Sequence, residues 1–180
     1  MIITTSRRPD HRTRILCREL TWVIPNSRYL PRGTKTVEGL SSIARESGHN
    51  RIMLVGSAGG GPTELRFLDV GENWRWVNAR VKLGEVKLQR EGGRRIKLKG
   101  LKICGEGPKA LGFAAWFGQL LGLDASERPP ASGGVALVTS EDGLKLQFLI
   151  KDNSEAVGPV LQVLGFGNLN EECVGGNGES

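Results

Sequence analysis

The stretch IITTSRRPDHRTR, residues 2–14, decides how the chain begins to fold. Its first residues are apolar and β-branched, which predicts a short strand, and Ser6 or Asp10 is placed to cap a helix directly after it. The residues that follow keep apolar side chains at helical spacing. These are Ile15, Leu16, Leu20, Val23 and Ile24. A strand that leads through a helix to a second apolar strand, RIMLV at 51–55, predicts an α/β fold with parallel pairing and a right-handed crossover.

The same stretch places four arginines, at 7, 8, 12 and 14, around the predicted start of the helix. The helix dipole already makes that end positive, so further cations there are unfavourable. A chain that accepts this cost is expected to need the cations for an acidic partner. Guanidinium groups match phosphate oxygens, and the amides at a helix N-terminus can add to such a site.

Positive charge is concentrated in two blocks of the 180-residue chain, whose net charge is +6. Residues 1–35 contain eight Lys and Arg against two acidic residues, and residues 75–109 contain eleven against three. Residues 36–74 and 110–180 have more acidic than basic residues, five against three and nine against three. Clustering of this kind is typical of nucleic-acid-binding proteins. Two solvated charged faces are the simpler alternative.

Both basic blocks supply candidate nucleic-acid-binding side chains. If the basic connector at 27–35 neighbours the loop after the first strand, eight cations of the first block converge. In the second block, strands of period two are expected to hold their cations on one side. The predicted binding residues are Arg7, Arg8, Arg12, Arg14, Arg18, Arg28, Arg32, Lys35, Arg80, Lys82, Lys97 and Lys99.

The four tryptophans have two possible roles. Trp22 lies on the arginine-bearing side of the first predicted helix, where it can stack on an unpaired base or pack against the protein. Trp74, Trp76 and Trp116 are expected to pack against the other half of the chain.

Several other chemistries lack a motif. Cys17, Cys104 and Cys173 are far apart, and His11 and His49 have no partners at metal-ligand spacing, so neither a zinc site, a disulfide framework nor a cofactor is expected. No signal peptide or membrane-spanning run is apparent. The chain is therefore expected to be cytoplasmic, without a membrane partner or a small-molecule substrate.

Two stretches resemble catalytic motifs but lack features that those motifs require. The glycine-rich GSAGGGP at 56–62 lacks the Lys-Ser/Thr ending of a phosphate loop, and a return strand follows it in place of a helix, so a hairpin loop is favoured. Ser6 could be a nucleophile with His11 as its base, but both are better explained as capping and solvent-facing residues. The sequence predicts no enzymatic activity.

An internal echo predicts a duplication. LVGS at 54–57 and LRFL at 65–68 reappear as LVTS at 137–140 and LQFL at 146–149. The chain is therefore interpreted as two related α/β halves, about 1–83 and 84–167, within one domain at 1–167. Residues 168–180 are expected to be a frayed tail.

At this point the sequence resembles a known family, the Brix domain. ITTSRRP followed by a helix ending in Val-Ile-Pro-Asn is similar to the start of that domain, and YLPRG at 29–33 is similar to its next segment. RIMLVGSAGGGPTELRF at 51–67 resembles its hairpin, and GLKLQFLIKD and EAVGPVLQV resemble its closing segments. The resemblance covers residues 2 to about 166, and the chain is similar to the short archaeal form.

The resemblance implies a fold of two α/β halves with mixed sheets, each similar to the anticodon-binding domain of class II aminoacyl-tRNA synthetases. It also implies a role in ribosome biogenesis, in which the protein binds ribosomal RNA or its precursor and assists folding, processing or subunit assembly. Other ribosome-assembly proteins are implied as further partners. Two alternatives remain open: a scaffold that binds only proteins through its acidic second half, and an enzyme acting on a nucleotide.

Overall fold

The computed structural model describes residues 1–89 and 96–168 of the chain. The helices of these residues are α1 (His11–Val23), α2 (Val37–Glu46) and α3 (Pro108–Leu121). The strands are β1 (Ile2–Thr5), β2 (Arg28–Tyr29), β3 (Arg51–Ala58), β4 (Gly61–Val70), β5 (Trp74–Lys87), β6 (Lys102–Gly105), β7 (Ala125–Ser126), β8 (Gly134–Thr139), β9 (Leu144–Ile150), β10 (Glu155–Ala156) and β11 (Val160–Gly167). The predicted α/β class with mixed strand pairing is confirmed.

The chain divides into two compact units. Among the described residues, the first contains 1–17, 27–83 and 164–168, and the second contains 18–26, 84–89 and 96–163. The boundaries fall inside α1, β5 and β11. The division into halves at about residue 83 stays a prediction.

In the first unit the strands lie in the order β2-β1-β3-β4-β5. β1 pairs in parallel with β2 and β3, while β3, β4 and β5 pair antiparallel. Helix α2 begins after Thr36, whose hydroxyl accepts a hydrogen bond from the Gly39 amide at 3.1 Å, as predicted for a threonine cap. The helix covers one sheet face with a cluster formed by Ile2, Leu40, Ala44, Ile52, Leu68 and Val70.

The glycine-rich stretch is the turn of the β3–β4 hairpin. Gly59 and Gly60 connect the strands with φ of 61° and 87°. Two successive residues with positive φ are typical of the tight turns that match strand twist, and glycine adopts them without strain. The prediction of a hairpin loop, with no helix after it, is confirmed.

In the second unit the order is β7-β6-β8-β9-β11, and β10 pairs with β9. Helix α3 is buried on one side, through residues that include Phe113, Phe117 and Leu120, whereas Ala115 and Gln119 are exposed. Its nearly continuous apolar sequence predicts burial on more sides than this. It begins immediately after β6, and a Cβ at Gly105 would lie 2.4 Å from backbone atoms of Ala110 and Leu111. The close approach of strand and helix therefore requires glycine at this position.

The structure differs from the sequence predictions at two further places, and two predictions lie outside the described residues. Residues 96–101 do not form a strand, so the strand predicted from RRIKLKGLKI at 94–103 is wrong at these residues. Trp74 and Trp76 are 39% and 36% exposed, so the expectation that they pack away from solvent is wrong. The predicted turn at 91–93 and the frayed tail, apart from residue 168, lie outside the described residues.

Candidate nucleic-acid interface

The loop between β1 and α1 is organised by Asp10, which caps the helix. Its Oδ1 accepts a hydrogen bond from the Thr13 amide at 2.9 Å, and its Oδ2 accepts one from the Thr13 hydroxyl at 2.6 Å. The Ser57 hydroxyl, from the end of β3, donates to the same Oδ2. Partial burial alone would raise the pKa of Asp10, but the hydrogen bonds from Ser57 and Thr13 outweigh burial and lower this pKa to about 2. Asp10 is therefore ionised at neutral pH.

The Asp10 carboxylate explains how the start of α1 tolerates the arginines around it. A negative charge at the cap offsets both the helix dipole and the nearby cations. The Oδ1 of Asp10 takes up the Thr13 amide, so the expectation that other amides of this N-terminus add to a phosphate site stays a prediction.

Arg7 and Arg32 are brought together at the carboxyl end of β1. The Leu30 amide donates to the carbonyl of Ile3 at 2.9 Å, so the chain after β2 continues beside β1 toward Arg32. Arg32 is only 6% exposed, whereas Arg7 is exposed. Burial, and next the positive charge of Arg7, lowers the pKa of Arg32, as expected when the register carries both residues to the same strand end.

Other cations of the first block do not join this pair. Arg28 pairs with Ile2, at the amino end of β1, and its charge acts on His49. The other end of β1 leads to Ser6, four residues after Ile2, which is a distance of about 13 Å at the rise per residue of a strand. The predicted convergence of eight cations is therefore wrong for Arg28. Lys35 turns back to the Pro31 carbonyl at 3.4 Å.

The remaining arginines of the first block belong to the loop and to α1. Arg8, Arg12, Arg14 and Arg18 are exposed. Arg8 has a left-handed backbone with φ of 52°, and Arg14 Nη2 donates to the Pro9 carbonyl at 2.9 Å. On α1 the helix period places His11, Arg14, Arg18 and Trp22 on one side, where the first three are exposed and Trp22 is half-buried.

A second basic surface lies on the β4–β5 hairpin. Arg66 is directly opposite Arg80, and Glu64 is opposite Lys82. The Arg66 guanidinium carbon is 4.2 Å from the centroid of the Trp76 ring, a cation–π geometry. Three cations and an exposed indole therefore share one face. We call these residues the hairpin surface: Arg66, Trp76, Arg80 and Lys82.

Two members of the hairpin surface were not predicted from the sequence. Arg66 lies in a stretch that is acidic on balance, and Trp76 was assigned to packing. The usable signal was the period of two in ELRFL and WRWVNARVK, which places alternate side chains on one face of each strand. Lys97 and Lys99 are exposed with Leu98 buried between them, but the segment that carries them is not a strand.

The described part of the chain has no residues arranged for a metal site or for a catalytic Ser6–His11 pair. Among residues 1–89 and 96–168 no three His, Cys, Asp or Glu side chains come together to hold a metal. The Ser6 hydroxyl has no hydrogen-bond partner there, so it is not bonded to His11. Cys17 and Cys104 are free and buried, and burial raises the pKa of both thiols. No described helix is long and apolar enough to cross a membrane.

Relatives of known name come from archaea. A probable Brix domain-containing ribosomal biogenesis protein of Methanopyrus kandleri is 43% identical over 99 residues, 54% of this chain and 52% of the relative. One from Pyrococcus horikoshii is 43% identical over 94 residues, 52% and 42% of the two chains. These matches span about half the length of the relatives. One from Aeropyrum pernix is 29% identical over 168 residues, 89% of this chain and 93% of the relative. No protein-family model matches the chain.

Two crystal structures share the fold. The probable ribosomal biogenesis protein from Aeropyrum pernix K1 superposes with a TM-score of 0.78 at 26% identity, over 96% of this chain and 97% of the other. Mil, an archaeal Imp4-like protein, superposes with a TM-score of 0.68 at 19% identity over 93% and 99%, a likeness of fold alone. The chain is thus a homologue of archaeal Brix domain-containing ribosomal biogenesis proteins, and the family resemblance predicted from its sequence is confirmed.

Proposed function

We propose that this chain is a ribosome-biogenesis factor that binds ribosomal RNA or its precursor and assists folding, processing or subunit assembly. The names of its relatives support the biogenesis role. The observation that carries RNA binding is the hairpin surface, where Arg66, Arg80 and Lys82 share a sheet face with the exposed Trp76 and Arg66 contacts its ring. Cations contact phosphates, and an accessible aromatic ring stacks on an unpaired base.

The proposal extends to the residues at the end of β1. Arg7, Arg8 and Arg12 are exposed around the start of α1, and they supply a second group of phosphate contacts. Binding would then be governed by charge and by the shape of the RNA more than by its sequence, because guanidinium–phosphate contacts carry no base information. A cytoplasmic, non-enzymatic protein fits this role.

We also propose that the two halves, about 1–83 and 84–167, arose by duplication, each resembling the anticodon-binding domain of class II aminoacyl-tRNA synthetases. The strand order β2-β1-β3-β4-β5 of the first unit matches β7-β6-β8-β9-β11 of the second. Phe67 lies opposite Met53, the residue before Leu54. In the same way, Phe148 lies opposite Ala136, the residue before Leu137. Both phenylalanines are buried, whereas Leu137 is half-buried.

Ultraviolet crosslinking of the tagged chain in an archaeal host, followed by sequencing of the bound RNA, tests the function. We expect ribosomal RNA or its precursor to be enriched over a tagged control protein. Recovery of ribosome-assembly proteins without crosslinked RNA would support the scaffold interpretation in its place. Enrichment of random cellular RNA would contradict a specific biogenesis role.

A further inference from the structure

Arg32 is a buried cation whose hydrogen-bonding groups are not satisfied by the protein. It is only 6% exposed, and neither Nε nor Nη1 forms a hydrogen bond with any residue in 1–89 or 96–168. Burying an unpaired charge is costly, and buried guanidinium groups are normally held by carboxylates, carbonyls or anions. Burial of Arg32 therefore lowers the stability of the fold, and a bound anion would offset that loss.

The surroundings of Arg32 increase that cost. Arg7 is close enough for its charge to act on Arg32, so two cations repel each other at one strand end. The nearby carboxylate of Asp10 is already engaged by Thr13 and Ser57. At the same strand end, the Ser6 hydroxyl is buried and makes no hydrogen bond to the described residues. Pockets that bind anions are lined by cations and by hydrogen-bond donors without an acceptor, and both are present at this strand end.

We propose that Arg32 and Arg7, with the Ser6 hydroxyl, form a pocket for one phosphate group, and that this group is a phosphate of the RNA backbone. A phosphate supplies several acceptor oxygens for the guanidinium N–H groups and the hydroxyl, and its charge relieves the repulsion between the arginines. The inference rests on the proposed function for the source of the phosphate. It goes beyond that function because it makes one buried arginine the anchor of the interface.

The site is separate from the helix N-terminus. Asp10 caps α1 and keeps a negative charge there, so the proposed pocket is made by arginine side chains and the Ser6 hydroxyl and does not use the helix end. A carboxylate of a protein partner is the competing ligand, since a guanidinium fork binds carboxylate and phosphate alike. The experiment therefore compares the two anions directly.

Thermal unfolding in different salts at matched ionic strength tests the pocket. We expect sodium phosphate at tens of millimolar to raise the Tm of the wild-type chain by roughly 3–6 °C over sodium chloride, because a ligand that binds only the folded state stabilises it. Sodium acetate should have little effect. Equal stabilisation by acetate would overturn the preference for phosphate, and no difference between phosphate and chloride would overturn the pocket.

Variants identify the residue responsible. Arg32→Gln should abolish the response to phosphate while leaving the Tm in chloride unchanged or higher, because an unpaired buried charge is removed. The exposed Arg128→Gln is the matched control and should respond to phosphate like the wild type. If Arg32→Gln fails to fold, the exposed Arg7→Gln should still reduce the response at least by half. A full response in either pocket variant contradicts the inference.

Binding to an oligoribonucleotide separates the pocket from the function. Against a 5′-hydroxyl oligonucleotide, Arg32→Gln should lose about tenfold or more in affinity relative to Arg128→Gln. If that loss occurs only with a 5′-phosphorylated oligonucleotide, the ligand is a terminal phosphate and the backbone assignment falls. If RNA binds equally well to both variants, the pocket is not part of the interface although the function stands. If no RNA binds but the phosphate response depends on Arg32, the pocket stands and the RNA function falls.

Discussion

The guanidinium of Arg66 lies 4.2 Å from the centre of the Trp76 ring, on the sheet face that also holds Arg80. An arginine in this position covers one side of the indole and orients it. The ring nevertheless remains 36% exposed. A flat aromatic surface that is fixed in place and flanked by cations can stack on a base while the neighbouring cations contact phosphates.

Trp76→Ala should therefore weaken RNA binding by about 1–3 kcal/mol, the range for loss of one stacked base. The free energy of unfolding should fall by no more than about 1–2 kcal/mol, because the exposed ring loses a cation–π contact and part of its packing. Fluorescence anisotropy with single-stranded RNA measures the first effect, and urea unfolding measures the second.

Leu164→Ala is the control for that change. Leu164 is another exposed large apolar residue, at 55% exposure, and it is outside the hairpin surface. Its replacement should leave RNA affinity unchanged. If the two variants bind RNA equally well, Trp76 does not stack on a base.

Asp10→Asn should lower stability at neutral pH and change its dependence on pH. The folded pKa of about 2 is below the ordinary value of 3.8, so the contribution of Asp10 is present above pH 4 and is lost as the pH falls toward 2. Partial exposure of the carboxylate reduces this contribution to on the order of 1–2 kcal/mol. Urea unfolding at pH 7, 4 and 2.5 should show the wild type and Asp10→Asn converging at the lowest pH.

The exposed Asp124 provides the comparison, and Asp124→Asn should follow the wild type at all three values of pH. A constant difference between Asp10→Asn and the wild type would mean that the carboxylate acts through packing and not through its charge.

The regular elements were largely predictable from local pattern. The apolar stripe from Ile15 to Ile24 predicted α1, because a period near four is specific for a helix that packs on one side. Residues 96–101 were predicted as a strand and are not one. Leu98 is buried between exposed lysines, and an extended connector gives the same alternation as a strand, so the pattern cannot distinguish the two.

The candidate site was only partly predictable because it depends on pairing between segments distant in sequence. Arg66 and Arg80 are neighbours through the register of β4 and β5, which is interrupted by a bulge between Arg66 and Leu68. Charge counted along the chain separates these residues into an acidic and a basic block. The burial of Arg32 was likewise hidden, because a connector has no period that shows which side chain turns inward.

Two glycines in the second unit should respond in opposite directions to alanine. Gly105→Ala should destabilise the fold by about 1–3 kcal/mol, since the new Cβ would meet the backbone of Ala110 at 2.4 Å, which cannot move without shifting α3. Gly112 lies in α3, and nothing is within 4 Å of the position that its Cβ would take, so Gly112→Ala should stabilise by about 0.5–1 kcal/mol. Thermal unfolding of both variants checks this, and equal effects would contradict the close approach of β6 and α3.

Replacement of Arg7, Arg8 and Arg12 by glutamine should leave the fold intact. All three are exposed, and removal of Arg7 also relieves its repulsion of Arg32, so the free energy of unfolding should change by about 0.5 kcal/mol or less, or rise. RNA affinity should fall by roughly 1 kcal/mol for each lost phosphate contact. A variant with Lys102, Lys109 and Arg128 changed to glutamine loses the same net charge outside the proposed interface. Equal RNA affinity of the two triple variants would mean that the arginines act only through net charge.

The dependence of RNA affinity on salt should count the phosphate contacts. If about five phosphates of single-stranded RNA are neutralised, the logarithm of the binding constant should fall against the logarithm of salt concentration with a slope near −3.5. The triple variant at Arg7, Arg8 and Arg12 removes three of these contacts, so its slope should approach about −1.4. The triple variant at Lys102, Lys109 and Arg128 should keep the wild-type slope, because counterions are released only where cations meet phosphates. Anisotropy titrations between about 50 and 300 mM salt measure all three slopes, and a wild-type slope near zero would exclude an electrostatic interface with RNA.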